Sequence, residues 1–125
     1  MYRESLPENL RRGAAAEDLA ADYLRLRGFE IVERNVRVAG GEIDLVARRG
    51  EWLVLVEVRF RGSCSHGHPV ETVCGRKARA VGRAARAYLA QGRRGASCWR
   101  FDVVTVTLEE DGEARVRQFP GAVSL

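Results

Sequence analysis

The stretch Gly40–Phe60, GGEIDLVARRGEWLVLVEVRF, decides the fold. Its pattern predicts two strands, Glu42–Ala47 and Trp52–Phe60, joined by a tight turn at Arg49-Gly50. Leu53 to Val56 is an unbroken apolar run, which marks a central strand covered on both faces. Side chains alternate along a strand, so Leu53, Leu55, Glu57 and Arg59 share one face and Val54, Val56, Val58 and Phe60 the other. On the preceding strand Glu42, Asp44 and Val46 likewise fall on one face. A carboxylate in an apolar strand loses hydration, at a cost that only a metal, a cation or hydrogen bonds can offset. Two of them, Asp44 and Glu57, on neighbouring strands make a candidate metal site, because hard divalent cations take oxygen ligands. Arg59 would then sit beside the ion, where it could orient a water or stabilise charge on a phosphate. The same spacing also suits a purely structural Glu57–Arg59 ion pair at a sheet end.

Outward from this hairpin the chain reads as a helix, three strands, a second helix and one or two further strands. Met1–Arg12 is polar, contains Pro7 and reads as a loose leader. Gly13–Arg27 has helical periodicity, with Ala16, Leu19, Ala20, Tyr23 and Leu24 as its packing stripe and Gly28 as the C-terminal cap. Glu17 borders that stripe, and spacing alone reads it as a solvated acid in the first turn, favoured by the helix dipole. Phe29–Asn35 alternates as a strand leading into the hairpin. Arg61–Gly75, rich in Gly, Ser, Cys and His, reads as a long loop. A second helix follows over Arg76–Gln91, burying Ala78, Val81, Ala85, Tyr88 and Leu89. Its residues Arg76, Arg79, Arg83 and Arg86 share one face, beside Lys77, and suit either phosphate contacts or plain solvation. Phe101–Leu108 and Ala114–Phe119 are the last strands, joined by a turn at Glu109–Gly112. The expectation is one α/β domain over 1–125.

At 125 residues the chain suffices for one compact core, and with 30% charged and 46% hydrophobic residues it has an ordinary globular composition. The net charge of +4 and pI near 9.4 are compatible with a polyanionic partner. No apolar run approaches the roughly 20 residues that span a bilayer, and Met1–Arg12 lacks an apolar signal core. Cys64, Cys74 and Cys98 are odd in number and never form CxxC, which predicts free thiols and a cytoplasmic location. Cys64-Ser65-His66-Gly67-His68 lacks the ligand spacing of a zinc site. Neither a phosphate-binding glycine loop nor a hydrolase nucleophile elbow occurs.

Glu17, Gly41-Glu42-Ile43-Asp44 and Val56-Glu57-Val58-Arg59 together resemble the YraN family of small, largely uncharacterised bacterial proteins. The likeness continues through Gly67-x-Pro69-x-Glu71, Lys77, Tyr88-Leu89 and Arg100-Phe101-Asp102-Val103-Val104, covering about Gly13 to Val106. That family is similar to archaeal Holliday-junction resolvases, within the restriction-endonuclease-like superfamily and its PD-(D/E)xK motif. The resemblance implies an αβββαβ core with a mixed central sheet flanked by helices, and Mg²⁺- or Mn²⁺-dependent hydrolysis of phosphodiester bonds. It makes Asp44 and Glu57 metal ligands, with the main-chain carbonyl of Val58, and turns Glu17 into a further acid facing the site. Junction resolvases act as dimers, so a homodimer is expected by analogy. One position departs from the pattern: the motif lysine is Arg59 here. Arginine keeps a charge that can grip a phosphate, but it cannot give up its proton to act as a base.

Three readings follow from the sequence. The first is a metal-dependent endonuclease acting on DNA, branched or single-stranded. The second is a nucleic-acid-binding module on a degenerate nuclease fold, with Arg76, Lys77, Arg79 and Arg83 as phosphate contacts. The third is a protein-binding adaptor whose site is structural.

Overall fold

The computed structural model of the chain describes residues 8–38, 41–61, 76–91 and 98–121, the side chains of 8–12, 61, 76–79 and 81 excepted. Residues 1–7 of the expected leader, the Cys64–His68 run, Glu71, Cys74 and the side chains of Arg76, Lys77 and Arg79 lie outside the described residues. The elements are α1 (Glu8–Leu26), β1 (Glu30–Val38), β2 (Gly41–Arg49), β3 (Trp52–Arg61), α2 (Arg76–Ala90), β4 (Cys98–Leu108) and β5 (Ala114–Phe119). The strands form a single sheet in the order β1-β2-β3-β4-β5. β3 and β4 run parallel, while the other neighbours are antiparallel. Parallel strands need a crossover, and α2 supplies it. This is the expected αβββαβ core with a mixed central sheet, with β5 added at one edge.

The hairpin forms as its residues predict, one position late. Arg49 pairs with Trp52, and Gly50, at φ 61°, takes the first turn position, where a side chain would be strained. β3 is indeed covered on both sides. Leu53 and Leu55 pack with Ala84, Ala85 and Tyr88 of α2, whereas Val54 and Val56 pack with Ala16, Ala20, Ala21 and Leu24 of α1. Each such side chain, taken fully from water, contributes about 1.5–3 kcal/mol, so this central strand anchors both layers.

Helix α1 starts at Glu8, ahead of the expected start near Gly13. Its buried stripe also differs: Ala21 is buried, and Leu19 turns outward at 39% exposure. The helix ends as the glycine predicts. Gly28, at φ 91°, donates to the Arg25 carbonyl at 3.0 Å, and Phe29 donates to the Leu24 carbonyl at 3.0 Å. That crossed pair satisfies the last carbonyls of the helix. Arg49 closes the end by donating to the Arg27 carbonyl at 3.0 Å and lying over the Phe29 ring.

At the other edge a buried carboxylate ties β4 to β5. Asp102 is inaccessible to solvent and accepts from Arg100 Nε at 2.9 Å, Gln118 Nε2 at 2.8 Å and the Gly121 amide at 2.9 Å. The β4–β5 ladder ends at Val103↔Phe119, so the Asp102 side chain continues it where the backbone no longer does. No helix of the described residues is long and apolar enough to cross a membrane.

Candidate functional site

The expected alternation along β2 breaks at Asp44. Ile43 and Val46 both pack into the α2-side core, and Leu45 and Ala47 into the α1-side core. Glu42, Asp44 and Val46 therefore do not share one face. Opposite the break, on the neighbouring strand, stands Asn35, the one non-glycine described residue with positive φ, at 52°. The regular pairs Arg34↔Leu45 and Val36↔Ile43 bracket Asn35 and Asp44. The sequence reading missed Asn35, although asparagine tolerates the left-handed region better than most residues.

The β2–β3 ladder stops beside this break, at Leu45↔Val56. Beyond it the Asp44 side chain takes over, accepting the Val58 amide at 2.8 Å on Oδ2. Val58 packs its side chain against the α1-side core, so its backbone is what meets Asp44. Burial pushes the Asp44 carboxyl up from 3.8 to about 6; the Val58 amide opposes this, and the charges of Glu17, Glu57 and Glu42 add to it. No arginine among the described residues pairs with Asp44.

Glu17 reaches this place from α1. It is half-buried rather than solvated, and it accepts a hydrogen bond from the Asn35 side chain. Burial raises its pKa, the Asn35 hydrogen bond and the Arg34 charge lower it, and Glu42 raises it again; the net direction is up. Arg34 also pairs with Asp18 at 2.7 Å, so α1 is held to β1 by adjacent residues on each side. The acids that the sequence scatters over a helix and two strands thus influence one another at one end of the sheet.

Glu57 and Arg59 continue the side of β3 that Leu53 and Leu55 present to α2. They pair with each other, Arg59 Nε to Glu57 Oε2 at 2.9 Å. The structural alternative foreseen for these two is therefore present in the molecule. Among the described residues, no group of three or more His, Cys, Asp or Glu side chains is gathered so as to hold a metal ion. Asp44 accepts the Val58 amide and Glu57 the Arg59 guanidinium, and the Glu57 charge is near enough to help raise the Asp44 pKa. On α2, Arg83 and Arg86 are exposed, and Tyr88 is buried, donating to Glu33 Oε1 at 2.7 Å across to β1.

The family model described as "Uncharacterised protein family UPF0102" matches residues 16–106, a span that holds Glu17, Asp44, Glu57 and Arg59. The chain belongs to the UPF0102 (YraN) family. A UPF0102 protein of Syntrophotalea carbinolica is 46% identical over 92% of this chain and 93% of its own length. One from Anaeromyxobacter dehalogenans is 51% identical over 88% and 81%, respectively. Among solved structures, the chain is similar to Pyrococcus furiosus SfsA in complex with Ca²⁺, at 15% identity and a TM-score of 0.45. That alignment covers 91% of this chain, which spans 64% of the SfsA chain.

Proposed function

We propose that this UPF0102 chain is a metal-dependent, nuclease-like protein acting on phosphodiester bonds of DNA, branched or single-stranded. The observation that carries the reading is Asp44. It is a largely desolvated carboxylate pushed up to about 6, surrounded by Glu17, Glu42 and Glu57 and paired with no cation among the described residues. Such a group is relieved by a proton or by a cation, and its oxygen neighbours suit a hard divalent one. Asp44, Glu57 and the Val58 carbonyl are the donors that would hold Mg²⁺ or Mn²⁺. A bound ion of this kind supplies an activated water and a counter-charge for the phosphate. The chain's own groups do the rest. Glu17, fixed by Asn35, holds a further acid toward the site. Arg59 is a permanent cation that can bind phosphate oxygens but cannot accept a proton. Arg76, Lys77, Arg79 and Arg83 of α2 are the proposed backbone contacts, and of these Arg83 is exposed. A homodimer and a cytoplasmic location belong to the same proposal.

One observation favours a second reading, a nucleic-acid-binding module without turnover. Arg59 stands where the motif has lysine, and it holds Glu57 at 2.9 Å. Cleavage of labelled linear, single-stranded and four-way-junction DNA in Mg²⁺ and Mn²⁺ separates the two, with wild type beside Asp44→Asn and Arg59→Lys. Cleavage that Asp44→Asn abolishes supports the nuclease. Silence from wild type with activity in Arg59→Lys means that the arginine has disabled an otherwise sound site. Silence from all three, with salt-dependent DNA binding that persists in EDTA, favours the binding module.

A further inference from the structure

We infer that the hairpin end of the sheet carries a second contact surface, where Trp52 stacks on an unpaired base of single-stranded nucleic acid and Arg49 and Arg27 hold its phosphates. The surface lies apart from the acids. Val58, whose amide Asp44 accepts, is six residues along β3 from Trp52, which is about 20 Å of strand. The inference rests on the nucleic-acid reading above but not on a metal ion.

Burying a tryptophan ring is among the largest apolar gains open to a chain, yet Trp52 stays 42% exposed at the first position of β3. It shares the α1-side face with Val54 and Val56, which are closed to solvent. Arg100 lies over the Trp52 ring, 5.4 Å from its centroid, and is itself held by Asp102 at 2.9 Å. A ring propped on one side by a fixed guanidinium keeps a set orientation. What stays exposed is a flat apolar surface of the kind on which a base stacks.

Arg49 is the direct partner of Trp52 across the hairpin, so the two side chains stand on one face, about 5 Å apart at Cβ. Arg27 adjoins them, because its carbonyl accepts from Arg49 at 3.0 Å. Both arginines are exposed, and among the described residues neither pairs with a carboxylate. Arg27 lies over the Tyr23 ring and Arg49 over the Phe29 ring, contacts that place the guanidinium groups and leave their charge uncompensated. Glu30 and Glu51 lie at this end against Arg27, Arg48 and Arg49, so positive charge prevails. Closing the end of α1 accounts for the position of Arg49; it does not account for an exposed tryptophan beside it. Aromatic stacking next to backbone-tracking cations is how single strands are bound. The faces of duplex bases are already stacked, so the ring selects unpaired ones.

Trp99, 36% exposed, provides the internal contrast. It pairs with Leu53 and shares the α2-side face with Phe101 and Val103, away from Arg49.

Fluorescence anisotropy of a labelled oligo-dT strand with the full chain in EDTA tests the surface. Trp52→Ala should weaken binding about tenfold, within what one stacked base contributes, and Trp52→Phe should restore most of it. Trp99→Ala should bind like wild type. Arg27→Gln and Arg49→Gln should each lower the slope of log affinity against log salt by about 0.7, the value for one phosphate contact on a single strand. A second readout leaves the surface intact: in Trp99→Phe, Trp52 is the remaining tryptophan, and saturating oligo-dT should quench its emission. Affinity that Trp52→Ala leaves unchanged, or Trp52 emission that oligo-dT leaves unquenched, would overturn this surface while the nucleic-acid reading stands. Absence of oligo-dT binding by wild type would overturn both. Quenching by anionic lipid vesicles and not by oligo-dT would assign the surface to a membrane and overturn the inference.

Discussion

Replacing Asp44 by Asn should make the metal-free protein more stable at neutral and alkaline pH. The carboxyl titrates near 6 instead of 3.8, because burial and the nearby acids disfavour its ionised form. Each tenfold displacement of an acid constant corresponds to about 1.4 kcal/mol, so the ionised group weakens the native state by roughly 3 kcal/mol above the folded value. Asparagine keeps an oxygen for the Val58 amide but carries no charge. The sign follows from proton binding. Between 3.8 and about 6 the folded chain holds more protons at Asp44 than the unfolded one, so wild type gains stability as pH falls through that window. The Glu17 carboxyl, also raised, acts in the same direction. The advantage of Asp44→Asn should be about 2–3 kcal/mol at pH 8 and under about 1 kcal/mol at pH 4. Urea unfolding in EDTA at the two pH values, extrapolated linearly to water, measures it. Added Mg²⁺ should close the gap from the other side, since an ion bound only to folded wild type stabilises it by mass action. An Asp44→Asn variant less stable than wild type at pH 8, or an advantage independent of pH, would refute the argument.

Further expectations concern the scaffold. Asp102→Ala removes the acceptor shared by Arg100, Gln118 and the Gly121 amide in a site closed to solvent. Chemical denaturation should show a loss of about 3–5 kcal/mol, the usual cost of breaking a buried pair; a loss below 1 kcal/mol, on the same scale, would mean that water replaces the carboxylate. Tyr88→Phe deletes the 2.7 Å hydrogen bond to Glu33 that links α2 to β1, and should cost about 1.5–3 kcal/mol in the same assay. Gly50→Ala meets no atom within 4 Å but keeps a φ of 61°. Its cost should therefore be the backbone strain alone, about 1–2 kcal/mol, with the site unchanged in its DNA and metal binding.

Much of the architecture is legible in the residues because it depends on local periodicity. The apolar run Leu53–Val56 announces a strand covered on both faces, Gly50 a hairpin and Gly28 a helix end, and each does so in the folded chain. Motif order also brought out Glu17, Asp44, Glu57 and Arg59 as the residues to examine. Strict alternation, however, assumes regular strand geometry, and it fails between Ile43 and Val46, which enter the same core opposite Asn35 and its positive φ. The same limit applies to the acids. Nothing in the spacing of Glu17 shows that it meets Asn35, and nothing around Asp44 shows how little water reaches it. Asp102 lies in a motif, yet its role as the β4–β5 tie exists only once Arg100, Gln118 and Gly121 surround it. The sequence by itself determined the elements, the family and the acids, since those rest on residue type and period. Tertiary structure alone decided the break at Asp44, the Glu57–Arg59 pairing and the displaced acidity, since desolvation and charge proximity are properties of neighbours that are distant along the chain.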